Sequence, residues 1–185
     1  ISRIIPKNLP NVDIEINDRP KAAKALVLFL SYNSSNEEEI LKFKTIDEYG
    51  TNNYRMPLKA IDYHKQELEK IIIACSEKSY GDKNKFLKCV QNFLGKKFVD
   101  IISVQDIKDF ENAKNVYEFL ERIYGQLKKD GFKEDDIVFD VTGGQKAVSI
   151  AGAMFAIPND RHLQYVSTSD YTIKHYDLTY MQNEE

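Results

Sequence analysis

Residues 140–147, DVTGGQKA, set a hydroxyl (Thr142), two glycines (Gly143 and Gly144), an amide (Gln145) and an ammonium (Lys146) side by side. That combination can hold an anion. Glycine lacks a Cβ, so its backbone can take positive φ and approach a ligand closely. Backbone N–H groups at a helix start, where the helix dipole is positive, then face the bound charge. A plain strand-to-helix turn would need the glycines for geometry alone and leave Lys146 solvated. The anion site is favoured because three polar side chains are adjacent at the carboxyl end of a strand, where open α/β sheets bind ligands. The turn matches neither G-x-x-x-x-G-K-[ST] nor G-x-G-x-x-G, so the common phosphate loops do not describe it.

The neighbouring residues supply the elements that place this turn. Ile137, Val138, Phe139 and Val141 have the composition of a short buried strand. After the turn, Ala147, Ile150, Ala151, Met154 and Phe155 fall at helical spacing, and Pro158 marks the stop. Upstream, Ala25–Leu30 is a continuous apolar run, as expected of a strand covered on both faces. It leads into a polar loop, residues 31–36, and then into Glu37, Glu38 and Glu39, which suit a helix start. Taken alone, that loop is equally a helix-capping turn. If its strand neighbours the one ending at Asp140, both loops leave the same sheet edge and share a pocket. Residues 55–64 read as a helix with Pro57 in its first turn, 68–75 as a second strand followed by Ser76 and Glu77, 81–94 as a helix ended by Gly95, and 99–104 as a third strand. Residues 111–129 give the clearest amphipathic helix, with its aromatics in the core. Residues 163–168 and 172–180, joined by a short polar turn, predict an antiparallel hairpin at the sheet edge. Strands alternating with helices predict an α/β fold: a Rossmann-like, mostly parallel sheet with helices on both faces and a C-terminal β-hairpin. Residues 1–24, punctuated by Pro6, Pro10 and Pro20, read as an irregular linker in which only Val12, Ile14 and Ile16 alternate as a short edge strand. Residues 25–181 form the ligand-binding domain and 182–185 a frayed tail.

Composition narrows the function. At 185 residues and 42% hydrophobic content the chain can build one sizeable core. A net charge of −3 argues against a duplex-DNA surface but leaves room for a small anion in a local pocket. Cys75 and Cys89 have no metal-ligand or disulfide spacing and read as core residues of a reduced, cytoplasmic domain. His64, His162 and His175 have no accompanying ligand pattern, so no metal is predicted.

The DVTGGQKA turn, its small-residue helix, the following HLQYVST (residues 162–168) and the early ALVLFLSYNSSN (residues 25–36) together resemble the CRISPR-associated Rossmann-fold, or CARF, sensor domains. That family pairs a strand ending in Asp with a Thr-Gly-Gly-x-Lys turn, a "YV-polar" strand after the helix, and an early strand running into a Ser/Asn-rich loop. In loose form the resemblance spans most of the chain from about Ala25 on. It implies a sensor for cyclic oligoadenylate, with cyclic tetra-adenylate as the ring, acting in type III CRISPR antiviral defence through an attached effector. It also implies a homodimer, because an even-membered ring has two-fold symmetry and can bind two copies of one half-site. Phosphate recognition would fall to Thr142, Gly143, Gly144, Gln145 and Lys146. Ribose and base contacts would come from Ser31, Asn33, Ser34 and Asn36, from Ser76 and Glu77, and from Thr168 and Ser169. The three glutamates after the first loop depart from the pattern, since acidic groups oppose a phosphate ring unless they point away.

The competing class is an enzyme, a metal-independent ring nuclease or other phosphodiesterase. Such an enzyme needs a general acid or base near the reacting oxygen, and no histidine falls in a loop at the ligand edge. Slow cleavage by the ring's own ribose hydroxyl would need positioning alone. No catalytic residue and no cofactor is assigned, and a nicotinamide enzyme is disfavoured by the missing glycine fingerprint. Ile1, Ile4 and Ile5, interleaved with Arg3 and Lys7, resemble the cytoplasmic flank of an upstream membrane helix. The expectation is therefore a cytosolic sensor tethered to a transmembrane effector, with an ordinary linker as the alternative.

Overall fold

The computed structural model describes residues 11–17, 19–157 and 161–181, with the side chains of 11–15 and 177–181 left aside. The expected stop at Pro158, the basic flank before residue 8 and the tail at 182–185 lie outside the described residues.

In chain order the elements are β1 (Asn11–Asn17), β2 (Ala25–Leu30), α1 (Glu37–Ile40), α2 (Arg55–His64), β3 (Lys70–Cys75), α3 (Glu77–Gly81), α4 (Lys83–Leu94), α5 (Lys96–Asp100), β4 (Ile102–Asp106), α6 (Ala113–Lys129), β5 (Ile137–Asp140), α7 (Lys146–Phe155), β6 (His162–Val166) and β7 (Ile173–Met181). Among the described residues the strands form one sheet in the order β1-β7-β6-β5-β2-β3-β4. β6, β5, β2, β3 and β4 run parallel, and β7 is antiparallel to both β6 and β1.

The central strand shows how the sequence sets the layers. Strand side chains alternate between faces, and β2 is buried along its whole length. Leu26, Leu28 and Leu30 pack with Leu58 and Ile61 of α2 and with Phe86 and Val90 of α4. Ala25, Val27 and Phe29 pack with Phe119, Leu120 and Ile123 of α6 and with Val148 and Phe155 of α7. Helices therefore cover both faces, as the continuous apolar run requires. Both cysteines are core residues, and burial pushes the Cys75 thiol up to about 11, which keeps it unreactive.

Several expectations shift. The short edge strand suggested by Val12, Ile14 and Ile16 is present, longer than the irregular stretch around it implied, as residues 11–17 paired along their length with β7, so the hairpin is not the edge. The third strand starts at Ile102, because the chain after Gly95 turns once more as α5 and takes Val99 with it. The helix expected over 81–94 is α4, starting at Lys83, with the short α3 before it at residues read only as following a strand. The acidic helix after the first loop is a single turn. In α7 the buried side is Val148, Ala151, Gly152 and Phe155, whereas Ile150 and Met154, expected with the core, are 56% and 55% exposed.

Gly152 is what lets α7 lie close on the sheet: a Cβ there would stand 2.7 Å from Val141 Cγ1 and 3.2 Å from Leu163 Cδ1. Gly125, in the middle of α6, faces open space instead. Glycine to alanine within a helix gains up to about 1 kcal/mol from propensity, while overpacking costs about 1–3 kcal/mol. Thermal denaturation should therefore show Gly125→Ala raising Tm and Gly152→Ala lowering it. Equal rises in both variants would contradict the close packing of α7.

Candidate functional site

β2 and β5 are adjacent and parallel, so Ser31 and the turn after Asp140 leave the sheet at the same edge, as anticipated. The contact between them is backbone-tight. A Cβ on Gly143 would lie 1.8 Å from the carbonyl oxygen of Phe29, so no other residue fits while the turn leans on the end of β2. Gly144 has φ +88°, and its N–H donates to Ser31 Oγ at 3.1 Å. One predicted ligand residue thus holds another in place.

Thr142 ties the turn to the next strand. Its Oγ1 accepts from Val166 N–H at 2.6 Å, and its own N–H donates to Asp140 Oδ1 at 2.9 Å. Helix α7 then begins at Lys146 after Gln145, which makes no side-chain cap. The N–H groups of Gln145, Lys146 and Ala147 find no partner among the described residues, and neither does the exposed Lys146 ammonium. Unsatisfied N–H groups at the positive end of a helix, beside a cation, are suited to cradle an anion.

Sequence reasoning missed what lies beneath this turn. Asp140 is 2% exposed and has no cationic partner among its hydrogen bonds. Its Oδ2 accepts from Gln164 Nε2 at 2.9 Å, and Gln164 Oε1 lies 2.8 Å from His64 Nε2. Ala23 N–H donates to His64 Nδ1 at 3.0 Å. Because that nitrogen accepts, a neutral His64 carries its proton on Nε2 and donates to Gln164, whose amide in turn donates to Asp140. The chain of donors runs one way, from the segment before β2 to the carboxylate under the turn. Burial pushes the Asp140 carboxyl above its usual range, against the pull of its donors Thr142 and Gln164. Burial also pushes His64 down to about 4. The one visible signal was a Gln and an Asp interrupting apolar strands.

The other predicted ligand residues divide. Asn33 is buried and engaged by the protein itself: Nδ2 donates to Asn52 Oδ1, just before α2, at 2.6 Å, and Oδ1 accepts from Ser35 N–H at 2.9 Å. Lys85 Nζ donates to the carbonyl of Asn33 at 2.5 Å. Asn36 caps α1 by accepting from Glu38 and Glu39 N–H, and Glu37 of that turn pairs with Lys88. Ser76 and Ser79 form a capping box at the start of α3. Glu77 is exposed, and no hydrogen bond joins Ser76 or Glu77 to the turn. Ser34 and Thr168 are exposed, and Ser169 Oγ lies 2.8 Å from Ser167 Oγ. The structure brings Ser31 and the residues from Thr142 to Lys146 together, with Thr168 and Ser169 just past the end of β6. Among the described residues no group of three His, Cys, Asp or Glu side chains is disposed to hold a metal ion.

No family model matches this chain. An uncharacterized protein of Aquifex aeolicus (strain VF5) is 30% identical over 184 residues, covering 90% of this chain and 59% of that protein. The solved structure of Can2 from Sulfobacillus thermosulfidooxidans in complex with cyclic tetra-adenylate superposes with a TM-score of 0.54 at 14% identity. It covers 88% of this chain and 36% of Can2, and the likeness concerns the fold. This chain thus spans 59% and 36% of the length of these two proteins.

His64 makes stability depend on pH in a defined direction. The unfolded chain takes up the histidine proton near pH 6.5, the folded chain only near 4. The stability this burial contributes is present above pH 6.5 and is lost as pH falls toward 4, by about 3 kcal/mol in all at 1.36 kcal/mol per pKa unit. Asp140, shifted upward, acts in the opposite sense: its contribution is present below the ordinary Asp range and lost as pH rises through its folded value. Comparison of the parent with His64→Gln, which still reaches Gln164, isolates the histidine. Denaturant midpoints from pH 7 to 4 should fall more steeply for the parent. Parallel curves would contradict a neutral, buried His64.

Proposed function

We propose that this domain is a CARF-type sensor that binds a cyclic oligoadenylate, cyclic tetra-adenylate, across a homodimer in type III CRISPR antiviral defence and passes the signal to an attached effector. One observation carries the reading: three unpartnered backbone N–H groups and the Lys146 ammonium meet at the carboxyl edge of the sheet, in a turn locked by Gly143 against Phe29. The fold shared with Can2, solved in complex with cyclic tetra-adenylate, supports the choice of ligand. In this reading a phosphate rests on the N–H groups and Lys146, and the ring lies over the sheet edge with Ser31 behind the turn and Thr168 beside it.

The same reading needs a two-fold partner, and α7 offers a face for one. Ile150 and Met154 are 56% and 55% exposed on the helix that starts at the cradle, and Ile157, just past its end, is 46% exposed. Packing that face against a second copy would bring two cradles to one ring, each half-site meeting half of a two-fold ligand. A transmembrane effector upstream of Ile1 remains the proposal, and no helix among the described residues is long and apolar enough to cross a membrane.

Lys146→Ala should weaken cyclic tetra-adenylate binding by about 1.5–3 kcal/mol, the range for a hydrogen bond involving a charged group, with an unchanged melting temperature in the absence of ligand. Unchanged affinity would remove Lys146 from the site. Light scattering should give twice the chain mass for the parent and the mass of one chain for Met154→Glu, since a charge in an apolar interface is costly. A parent at single-chain mass with ligand present would exclude the dimer.

A further inference from the structure

Asp140 takes its donors from Thr142, in the turn, and from Gln164, on β6. Gln164 and His64 are both fully buried, so neither can turn to water for a partner. The polarity of the line they form is fixed at both ends. At one end the Asp140 carboxylate accepts, which turns the Gln164 NH2 toward it. At the other the Ala23 N–H can only donate, so His64 Nδ1 accepts and the imidazole proton sits on Nε2, facing Gln164 Oε1. Both ends therefore require the same orientation of one amide.

Turned over, that amide would set its oxygen against the carboxylate and its NH2 against the Nε2–H of His64. His64 can accept the turned amide only if Ala23 leaves Nδ1, so that the proton can move there. Undocking Ala23 thus removes one of the two constraints that keep a donor on Asp140. The same segment carries a second clamp on this helix: Tyr63 OH donates to the carbonyl of Pro20 at 2.6 Å, and the Tyr63 ring meets His64 edge-on with centroids 4.9 Å apart. Residues 20–23 lie between β1 and β2, and from Lys24, whose N–H donates to the carbonyl of Asp136 at 2.9 Å, the chain is part of the sheet.

We infer that Gln164 is a positioning residue for the turn, and that through His64 it couples a ligand held on the turn to the docking of residues 20–23 at the opposite edge of the sheet. This rests on the reading of the turn as a phosphate site and adds to it where occupancy is felt. An amide with two orientations, biased from both ends, is the two-state element that a coupling requires. A phosphate on the N–H groups after Gly144 holds the turn, and with it Thr142 and Asp140, in the shape that keeps Gln164 and His64 aligned for Ala23. The coupling is reciprocal: what the ligand gains from the docked segment, the segment gains from the ligand.

The test combines titration calorimetry with cyclic tetra-adenylate and amide hydrogen exchange read by nuclear magnetic resonance, on the parent, His64→Asn and His64→Gln. Asn sets its amide oxygen where Nδ1 stands and still accepts from Ala23, but falls short of Gln164. Gln reaches Gln164 and leaves the place of Nδ1 empty. The inference predicts that the ring slows exchange at Ala23 in the parent about fivefold or more beyond its effect at Val90 of α4, and that both variants bind the ring about fivefold or more weaker, the lower end of a typical coupling. In neither variant should the ring single out Ala23. Parent-like affinity in both variants, or in His64→Gln alone, would overturn the coupling and leave the phosphate reading standing. A lowered melting temperature with unchanged affinity would overturn it too, by making the line a structural support only. A parent that does not bind the ring would overturn the phosphate reading and the ligand side of the coupling. Exchange at Thr142 and Gly144 without ligand then tests whether the line holds the turn: it should be faster in both variants, and unchanged rates would overturn that as well.

Discussion

The carboxylate of Asp140 is buried at the end of β5 with no cation beside it, and the turn above it takes its shape from that fact. A buried charge is tolerable only when donors surround it. Here the donors are the N–H of Thr142 and the amide of Gln164. Satisfying Asp140 bends the chain back over its own strand at Thr142. The Thr142 hydroxyl then reaches β6, Gly143 presses on Phe29 of β2, and Gly144 meets Ser31. With these contacts made inside the protein, the N–H groups of the next three residues are left facing outward. The cradle is what remains after the turn has met its own hydrogen-bonding needs.

The same constraint reaches further than the turn. Gln164 turns its amide NH2 to Asp140 and its oxygen to His64, and His64 is fixed by the N–H of Ala23, just before β2. Tyr63, next to it, donates to the carbonyl of Pro20 at 2.6 Å. The segment entering the domain and the turn at the far edge of the sheet are thus joined by one unbranched line of hydrogen bonds through the core. Breaking it in the middle would leave a polar group buried and unpaired, a cost of about 1–3 kcal/mol.

Much of this could be read from the chain because the signals were local. Continuous apolar runs marked β2 and β3, the Gly-Gly between a strand and a helix marked the turn before α7, and a 3.6-residue period marked α6. What escaped notice depended on contacts distant in sequence. Nothing near His64 or Gln164 shows that residues 100 positions apart meet. Asn33, Asn36 and Ser76 read as polar loop residues available to a ligand, yet Asn36 and Ser76 cap helices and Asn33 braces its loop, uses that composition alone cannot separate. The face of α7 is legible only in part: Ala151 and Phe155 are buried as expected, but Ile150 and Met154 join them in the reading only because they are apolar, while a residue that meets the sheet, Gly152, has no side chain to register.

Titration calorimetry with cyclic tri-, tetra- and hexa-adenylate, and linear oligoadenylate as control, tests the central claim most directly. The account predicts saturable binding of cyclic tetra-adenylate, at one ring per two chains, with the linear oligomer far weaker. Absence of binding by every ring, or one ring per chain at saturation, would contradict it.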